Sequence, residues 1–355
     1  MRYFALVLLL ALASCKKEAF VEQEKFVKAK IIPSKIDSLN SKDEIEAYIR
    51  SKLDSDLPEF YLTDYSRIMT YHSSHQYIDS LNRIYAKQLG IDKTYYKTDF
   101  NNDGLTDLLL IGGWRIGNVR PKIQFYQFNS QIVINGGKGK SKTYSLARDY
   151  NFAFVPQIVE TDSLPFIILH HPMGYDTVYP PRIKDTLQLK LVYKSGYFVE
   201  YNKKPGKHEI EKIEFTNVIG ENSPHFQMIL NKDDDSWFIA IFDNYGEGKT
   251  YQGAYKTEMS DIDFNELSDV LNYIDFENHQ DSNSTYAPGQ PLMALKITYD
   301  NNKVKEIYNN SGSTTYGLEA IYNKMLDLRF SQDWKQAEEP ENMRLPRPQK
   351  RTKWN

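Results

Sequence analysis

A single cysteine, Cys15, occurs in 355 residues. No intrachain disulfide can form, so stability has to come from packing, hydrogen bonds or bound ions. A strong charge of either sign is also missing: 44 Lys and Arg face 47 Asp and Glu, a formal net charge of −3. Nucleic acid is therefore not an expected partner, because phosphate recognition needs a basic surplus. The apolar run Phe4–Leu12 is too short for a spanning helix. Common signatures of nucleotide and hydrolytic sites are absent as well: there is no G-x-x-x-x-G-K-[ST], no His-Glu-x-x-His and no G-x-S-x-G. What is present is ordinary for a folded protein, 41% hydrophobic and 26% charged. The length fits roughly two domains. The 26 tyrosines favour strand-rich structure.

The chain starts MRYFALVLLLALASC, with Arg2 as a positive n-region, then an apolar stretch, then Leu12-Ala13-Ser14-Cys15. This end resembles the lipobox of bacterial lipoproteins: an aliphatic residue, two small residues, then cysteine. The resemblance implies a signal peptide over 1–14 and acylation of the Cys15 thiol by diacylglyceryl and palmitate-type chains. Several acyl chains anchor a protein to a membrane far more firmly than one. Lys16-Lys17-Glu18 resembles the charged export signals of surface lipoproteins in Bacteroidota-type bacteria. The implied location is the cell envelope, lipid-anchored at the outer membrane, on its periplasmic or surface face.

Residues 15–40 read as a tether of mixed charge. An N-terminal domain is expected over 41–220. Ser41-x-x-Glu44 forms a capping box for a helix over 41–53, with Ile45, Tyr48, Ile49 and Leu53 on one face. A second helix is expected over 77–89, stopped by Gly90. From Asp107 the pattern turns to strands, including Leu108–Ile111, Phe152–Val159 and Leu187–Tyr193. Polar residues 216–224 mark the boundary.

The second domain is expected over 225–335. Its strands are Phe226–Leu230, Trp237–Phe242, Lys249–Lys256, Leu292–Tyr299 and Lys303–Tyr308. Between the third and fourth strands, Asp263 is expected to cap a helix, with Ile262 and Leu267 as its hydrophobic staple. A last helix carries Leu318, Ile321, Tyr322, Met325 and Leu326. The order βββαββα reads as an antiparallel sheet with helices on one face, and the whole chain as α+β with two such domains. Gly248-Lys249-Thr250-Tyr251, Asp263–Leu267, Asn272–Phe276, Leu295–Asp300 and Gly317 through Trp334 resemble a domain of unknown function of Bacteroidota-type lipoproteins. That likeness implies scaffold positions and no activity. Residues 336–355 form a tail that is basic from 344 onward, read as disordered.

Asp99-Phe100-Asn101-Asn102-Asp103-Gly104-Leu105-Thr106-Asp107 is the one motif that carries chemistry. Oxygen donors fall at loop positions 1, 3, 5 and 9, from Asp99, Asn101, Asp103 and Asp107. Leu105 at position 7 offers its backbone carbonyl, and Gly104 permits the sharp turn. Hard oxygens so spaced suit Ca²⁺. Position 12 is Leu110, not the Glu of an EF-hand, and a strand follows instead of a helix. The loop resembles the D-x-N-x-D-G-x-x-D loops of FG-GAP repeats, where calcium is structural.

Other clusters read as ordinary scaffold. Asp233-Asp234-Asp235 is a hairpin turn, and the histidines His72, His75, His170 and His171 lack zinc-site spacing. Tyr245, Tyr251, Tyr255 and Tyr286 offer rings for stacking on sugars, but such tyrosines more often flank a core. The resulting expectation is a lipid-anchored, non-enzymatic binding or assembly protein with one calcium clip. Its partner would be another envelope protein, a glycan or a peptide. The alternative is an envelope hydrolase built on Asp or Glu with His170 or His171.

Overall fold

The computed structural model describes residues 27–52, 60–67, 73–115, 126–146, 154–161, 164–173, 185–218, 225–243, 251–279, 292–309 and 315–339. Cys15, the segment 1–14 read as a signal peptide, and the basic end of the tail lie outside the described residues. Among those described, no helix is long and apolar enough to cross a membrane.

Among the described residues, three antiparallel sheets and four α-helices make up an α+β fold. The first sheet contains β1 (Phe60–Leu62), β2 (Tyr95–Thr98), β3 (Asp107–Arg115), β4 (Tyr126–Asn135) and β5 (Ser141–Ser145). Its order is β1-β3-β4-β5, with β2 also on β3. The second sheet runs β6 (Val155–Val159), β7 (Phe166–Met173), β8 (Asp185–Lys194) and β9 (Tyr197–Glu200), in that order. The run Leu108-Leu109-Leu110-Ile111 does not alternate because β3 is covered on both sides. Leu108 and Leu110 join Ile45 and Ile49 of helix α1 (Lys42–Lys52), while Leu109 joins Ile167 and Leu191 of the second sheet. Helix α2 (Ser73–Leu89) packs on β6 and β7 and stops at Gly90, whose φ is +68°.

The third sheet has seven strands among the described residues, in the order β15-β14-β10-β11-β12-β13-β16. They are β10 (Ile210–Val218), β11 (His225–Asn231), β12 (Ser236–Asp243), β13 (Tyr251–Thr257), β14 (Leu292–Tyr299), β15 (Lys303–Asn309) and β16 (Lys335–Ala337). Helices α3 (Asp261–Tyr273) and α4 (Tyr316–Ser331) pack against it around Phe215, Phe226, Phe238 and Met325. The expected βββαββα order is present, with a strand added at each end. β10 sits between β11 and β14, so this sheet already begins at Ile210, ahead of the boundary read near 220. Its buried residues Ile213, Phe215 and Asn217 alternate with half-buried ones. β16 pairs with β13 where the tail was expected to begin.

The α1 capping box forms as read: Ser41 N donates to Glu44 Oε2 at 3.0 Å, and Glu44 N to Ser41 Oγ at 3.3 Å. The cap of α3 differs. Ser260, not Asp263, is the N-cap, accepting from Asp263 N at 3.2 Å. Ile262 is 72% exposed and staples nothing, while Met259 packs against the core instead. Ser260→Ala is expected to cost about 1 kcal/mol. Ile262→Ala should stay within ~0.5 kcal/mol of wild type. Urea unfolding of the two variants side by side checks both figures.

Candidate functional site

β2 enters the acidic loop and β3 leaves it, so the hairpin fixes both ends of residues 99–106. Within the loop, Asn102 and Gly104 take left-handed φ values of 58° and 84°. Asp99 accepts Gly104 N at 2.9 Å and Asp103 N at 3.3 Å. Asp103 accepts Leu105 N at 2.7 Å, and its other oxygen accepts Asn101 Nδ2 at 2.9 Å. Asp107 is fully buried; its oxygens accept Phe100 N at 2.9 Å and Asn135 N at 2.8 Å. Burial first, then the neighbouring carboxylates of Asp103 and Asp99, push Asp107 up to about 7 against the two N–H donors. Among the described residues, no three His, Cys, Asp or Glu side chains are gathered as a metal would need. A cation here would therefore lean on Asn101 and the Leu105 carbonyl as well as on carboxylates.

The outer side of this loop holds the segment that leads back toward the N-terminus. Ala29 N donates to Asn102 Oδ1 at 2.7 Å, Asn102 Nδ2 to Val27 O at 3.1 Å, and Ile32 N to Gly104 O at 2.7 Å. Further on, Thr106 Oγ1 donates to Asp37 Oδ1, and Lys97 Nζ to the Asp37 carbonyl at 3.1 Å. The part of the expected tether from residue 27 onward is thus a strap fastened to the loop. A Cβ on Gly104 would stand 2.6 Å from Lys30 O, on top of a φ that disfavours side chains. Gly104→Ala is expected to cost roughly 2 kcal/mol. It should also speed amide exchange at Ala29 and Ile32; unchanged protection there would refute the fastening.

A cleft of about 340 Å³ lies between β5, β9 and α4. Lys142 Nζ sits 4.0 Å over the Tyr197 ring, and the Tyr197 hydroxyl donates to Asp327 Oδ2 at 3.2 Å. The Tyr144 hydroxyl donates to Gly196 O. Burial pushes both phenols up and the Lys142 ammonium down. The phenols therefore act as donors, not as phenolates. α4 forms the far wall, and its N-terminus is capped from the second sheet. Glu200 accepts Tyr316 N at 2.6 Å and Gly317 N at 2.8 Å, while Thr315 Oγ1 accepts Leu318 N at 3.2 Å. Tyr316 also donates its hydroxyl to Leu146 O at 2.7 Å.

The other expected groups lie elsewhere. His170 is buried within β7, which runs on past Leu169; its Nε2 is 2.9 Å from Gln157 Oε1 and its Nδ1 3.5 Å from the Tyr85 hydroxyl. Burial pushes this histidine down. Among the described residues its ring nitrogens meet an amide and a phenol, not the carboxylate that the hydrolase alternative calls for. Tyr251 and Tyr255 pack on Phe238 in the third sheet's core. Tyr245, Tyr286 and His72 lie outside the described residues. His208 was not anticipated. Its Nδ1 is 2.7 Å from Asp300 Oδ2 in the β14–β15 turn and its Nε2 3.3 Å from Glu277 Oε2 in the short helix after α3, so it ties the entry to β10 to both. The cleft, the Glu200 cap and the strap were also missed, because each joins residues far apart in the chain.

Residues 219–329 match the family model described as Domain of unknown function (DUF6438). The match runs from before β11 into α4 and bears out a domain of unknown function over the second domain, with β10 and β16 outside it. No curated protein and no solved structure matches the chain.

Proposed function

We propose that this chain is a lipid-anchored cell-envelope protein with a non-enzymatic binding or assembly role. In this reading Cys15 carries the acyl chains, and calcium stabilises the N-terminal part. The observation that carries the reading is the strap. The acidic loop bonds the very residues, Val27 to Ile32, that lead back to Cys15. A loop in that place bears the pull of a membrane anchor. Holding the ion would draw Asp99, Asn101, Asp103, the Leu105 carbonyl and Asp107 closer together, and the ion would neutralise carboxylates that otherwise repel one another. The ion would supply no reaction step, only stiffness at the junction of tether and body.

The test is thermal unfolding of the full chain in detergent, with calcium and with chelator. A ligand at 100 to 1,000 times its Kd adds about 2.7–4.1 kcal/mol. The expected result is a raised melting temperature that Asp103→Ala abolishes. Equal melting with and without calcium would remove the ion from the proposal. Cys15→Ser is expected to release the protein from membranes, and retention of that variant in the membrane fraction would refute the anchor.

A further inference from the structure

The strap presents an apolar group to solvent. Val27, Ile31 and Ile32 are 77%, 47% and 55% exposed, three large apolar side chains within six consecutive residues. Other exposed apolar side chains, such as Leu187, Ile262 and Val304, stand on separate elements. Single exposed apolar residues are normal on a protein surface, whereas a group of them marks a contact. The bonds from Ala29 N and Ile32 N to the acidic loop fix this stretch on the outside of the body. Its apolar side chains therefore do not turn into a core.

The charged side chains exposed beside that group are mostly lysines. Lys30 is exposed and forms no ion pair among the described residues. The same holds for Lys138 and Lys140 in the β4–β5 turn. That turn lies next to the loop: a Cβ on Gly137 would stand 3.2 Å from Leu105 Cδ1, while one on Gly104 would stand 2.6 Å from Lys30 O. Asp99 and Asp107 are buried inside the loop. Glu160 is exposed but paired with Lys28 at 3.6 Å. Asp103 is exposed too, and its oxygens accept Leu105 N and Asn101 Nδ2.

We propose that the strap and the β4–β5 turn form a membrane-contact face that rests on a phospholipid surface. Val27, Ile31 and Ile32 enter the boundary between headgroups and acyl chains, and Lys30, Lys138 and Lys140 reach lipid phosphates. Apolar side chains beside lysines suit that boundary, because a lysine stem lies on apolar surface while its ammonium stays with polar groups. The place of the strap in the chain selects this occupant. Cys15 lies only twelve residues before Val27, so an anchored chain keeps the strap within about 40 Å of the bilayer. Tethering makes the contact intramolecular, at a roughly millimolar effective concentration for a short linker. A face too small to hold a membrane by itself is then enough.

This inference rests on the lipid anchor proposed above and adds where the body meets the membrane. The test uses the full acylated chain in vesicles of phosphatidylcholine and phosphatidylglycerol, with chelator present so that no calcium takes part. An environment-sensitive dye is placed on Ile31→Cys and, for comparison, on Val304→Cys; an acylated Cys15 takes none. Lipids brominated near the top of the acyl chain are expected to quench the Ile31 dye at least twofold more than the Val304 dye. Val27→Asp is expected to cut that quenching at least twofold while the protein still floats with the vesicles. Should Ile31→Cys not fold, Val27→Cys carries the dye instead. Equal quenching at both sites in protein that floats with the vesicles overturns the contact and leaves the anchor standing. An Ile31 dye shielded from aqueous iodide but untouched by brominated lipid also overturns it, because protein then covers the strap. Vesicles that float without the protein overturn the anchor and this inference with it.

Discussion

Glu200→Ala is expected to lower the stability of the chain by about 3 kcal/mol, read as a lower urea midpoint at unchanged slope. The first N–H groups of a helix have no partner within it, and they carry the positive end of its dipole. In α4 the N–H groups of Tyr316 and Gly317 both point at the Glu200 carboxylate, at 2.6 and 2.8 Å. Both residues are buried, so water replaces the lost oxygens poorly, and each orphaned donor costs about 1–3 kcal/mol. Gly317 makes the approach possible: a Cβ there would stand 2.5 Å from Ile274 Cγ2 and 3.4 Å from Glu200 Oε2. Glu200→Gln keeps one good acceptor and should lose about half as much. Because Glu200 ends β9 while α4 packs in the third sheet's core, the loss should appear as faster amide exchange at Tyr316 and Gly317. A midpoint equal to wild type would mean that the cap does not join the two parts.

Asp107→Ala is expected to cost about 3 kcal/mol in chelator, because Phe100 N and Asn135 N lose their acceptors in a fully buried place. Asp107→Asn keeps one acceptor and should cost about 1–2 kcal/mol near pH 5. The gap between wild type and the Asn variant then changes with pH. The carboxyl has an ordinary value of 3.8 and is raised to about 7 in the fold. The folded state therefore holds a proton that the unfolded chain has released. The stability this group contributes is fully present below pH 3.8 and is lost as pH rises through 7. Urea unfolding in chelator should show wild type losing ground to Asp107→Asn between pH 4 and 7. Added calcium should restore wild type at pH 8. A difference between the two proteins that is independent of pH would show that Asp107 stays ionised throughout.

Local rules made much of this molecule readable. The Ser41–Glu44 capping box, the Gly90 stop and the strand Leu292–Tyr299 all occupy the residues that their patterns indicate. The run Leu108–Ile111 reads as a buried strand because continuous apolar sequence has few other uses at that length. The second domain's βββαββα order follows from turn chemistry. Asp300, Asn301 and Asn302, for example, all take positive φ in the turn that pairs Tyr299 with Lys303. Where two local signals competed, the sequence misled. Asp263 and Ser260 both make acceptable caps, and burial chose Ser260 by drawing Met259 inward and leaving Ile262 in solvent.

The acidic loop shows the division most clearly. Its spacing, its left-handed glycine and its exit into a strand are properties of nine consecutive residues, so the sequence alone determined them. That Asp107 would be sealed from water depended on Asn135 arriving from β4, 28 positions later. That the loop would grip Val27 to Ile32 depended on a crossing of the chain across more than 70 positions. The cleft is the same case: β5, β9 and α4 come from three distant stretches, and only a shared core brings Lys142, Tyr197 and Asp327 together. Caps, turns and strand periodicity come from neighbours along the chain, where covalent geometry limits the choices. Burial, pKa and the facing of one sheet edge to one helix come from which long-range contacts exclude water, and no short stretch of sequence specifies those.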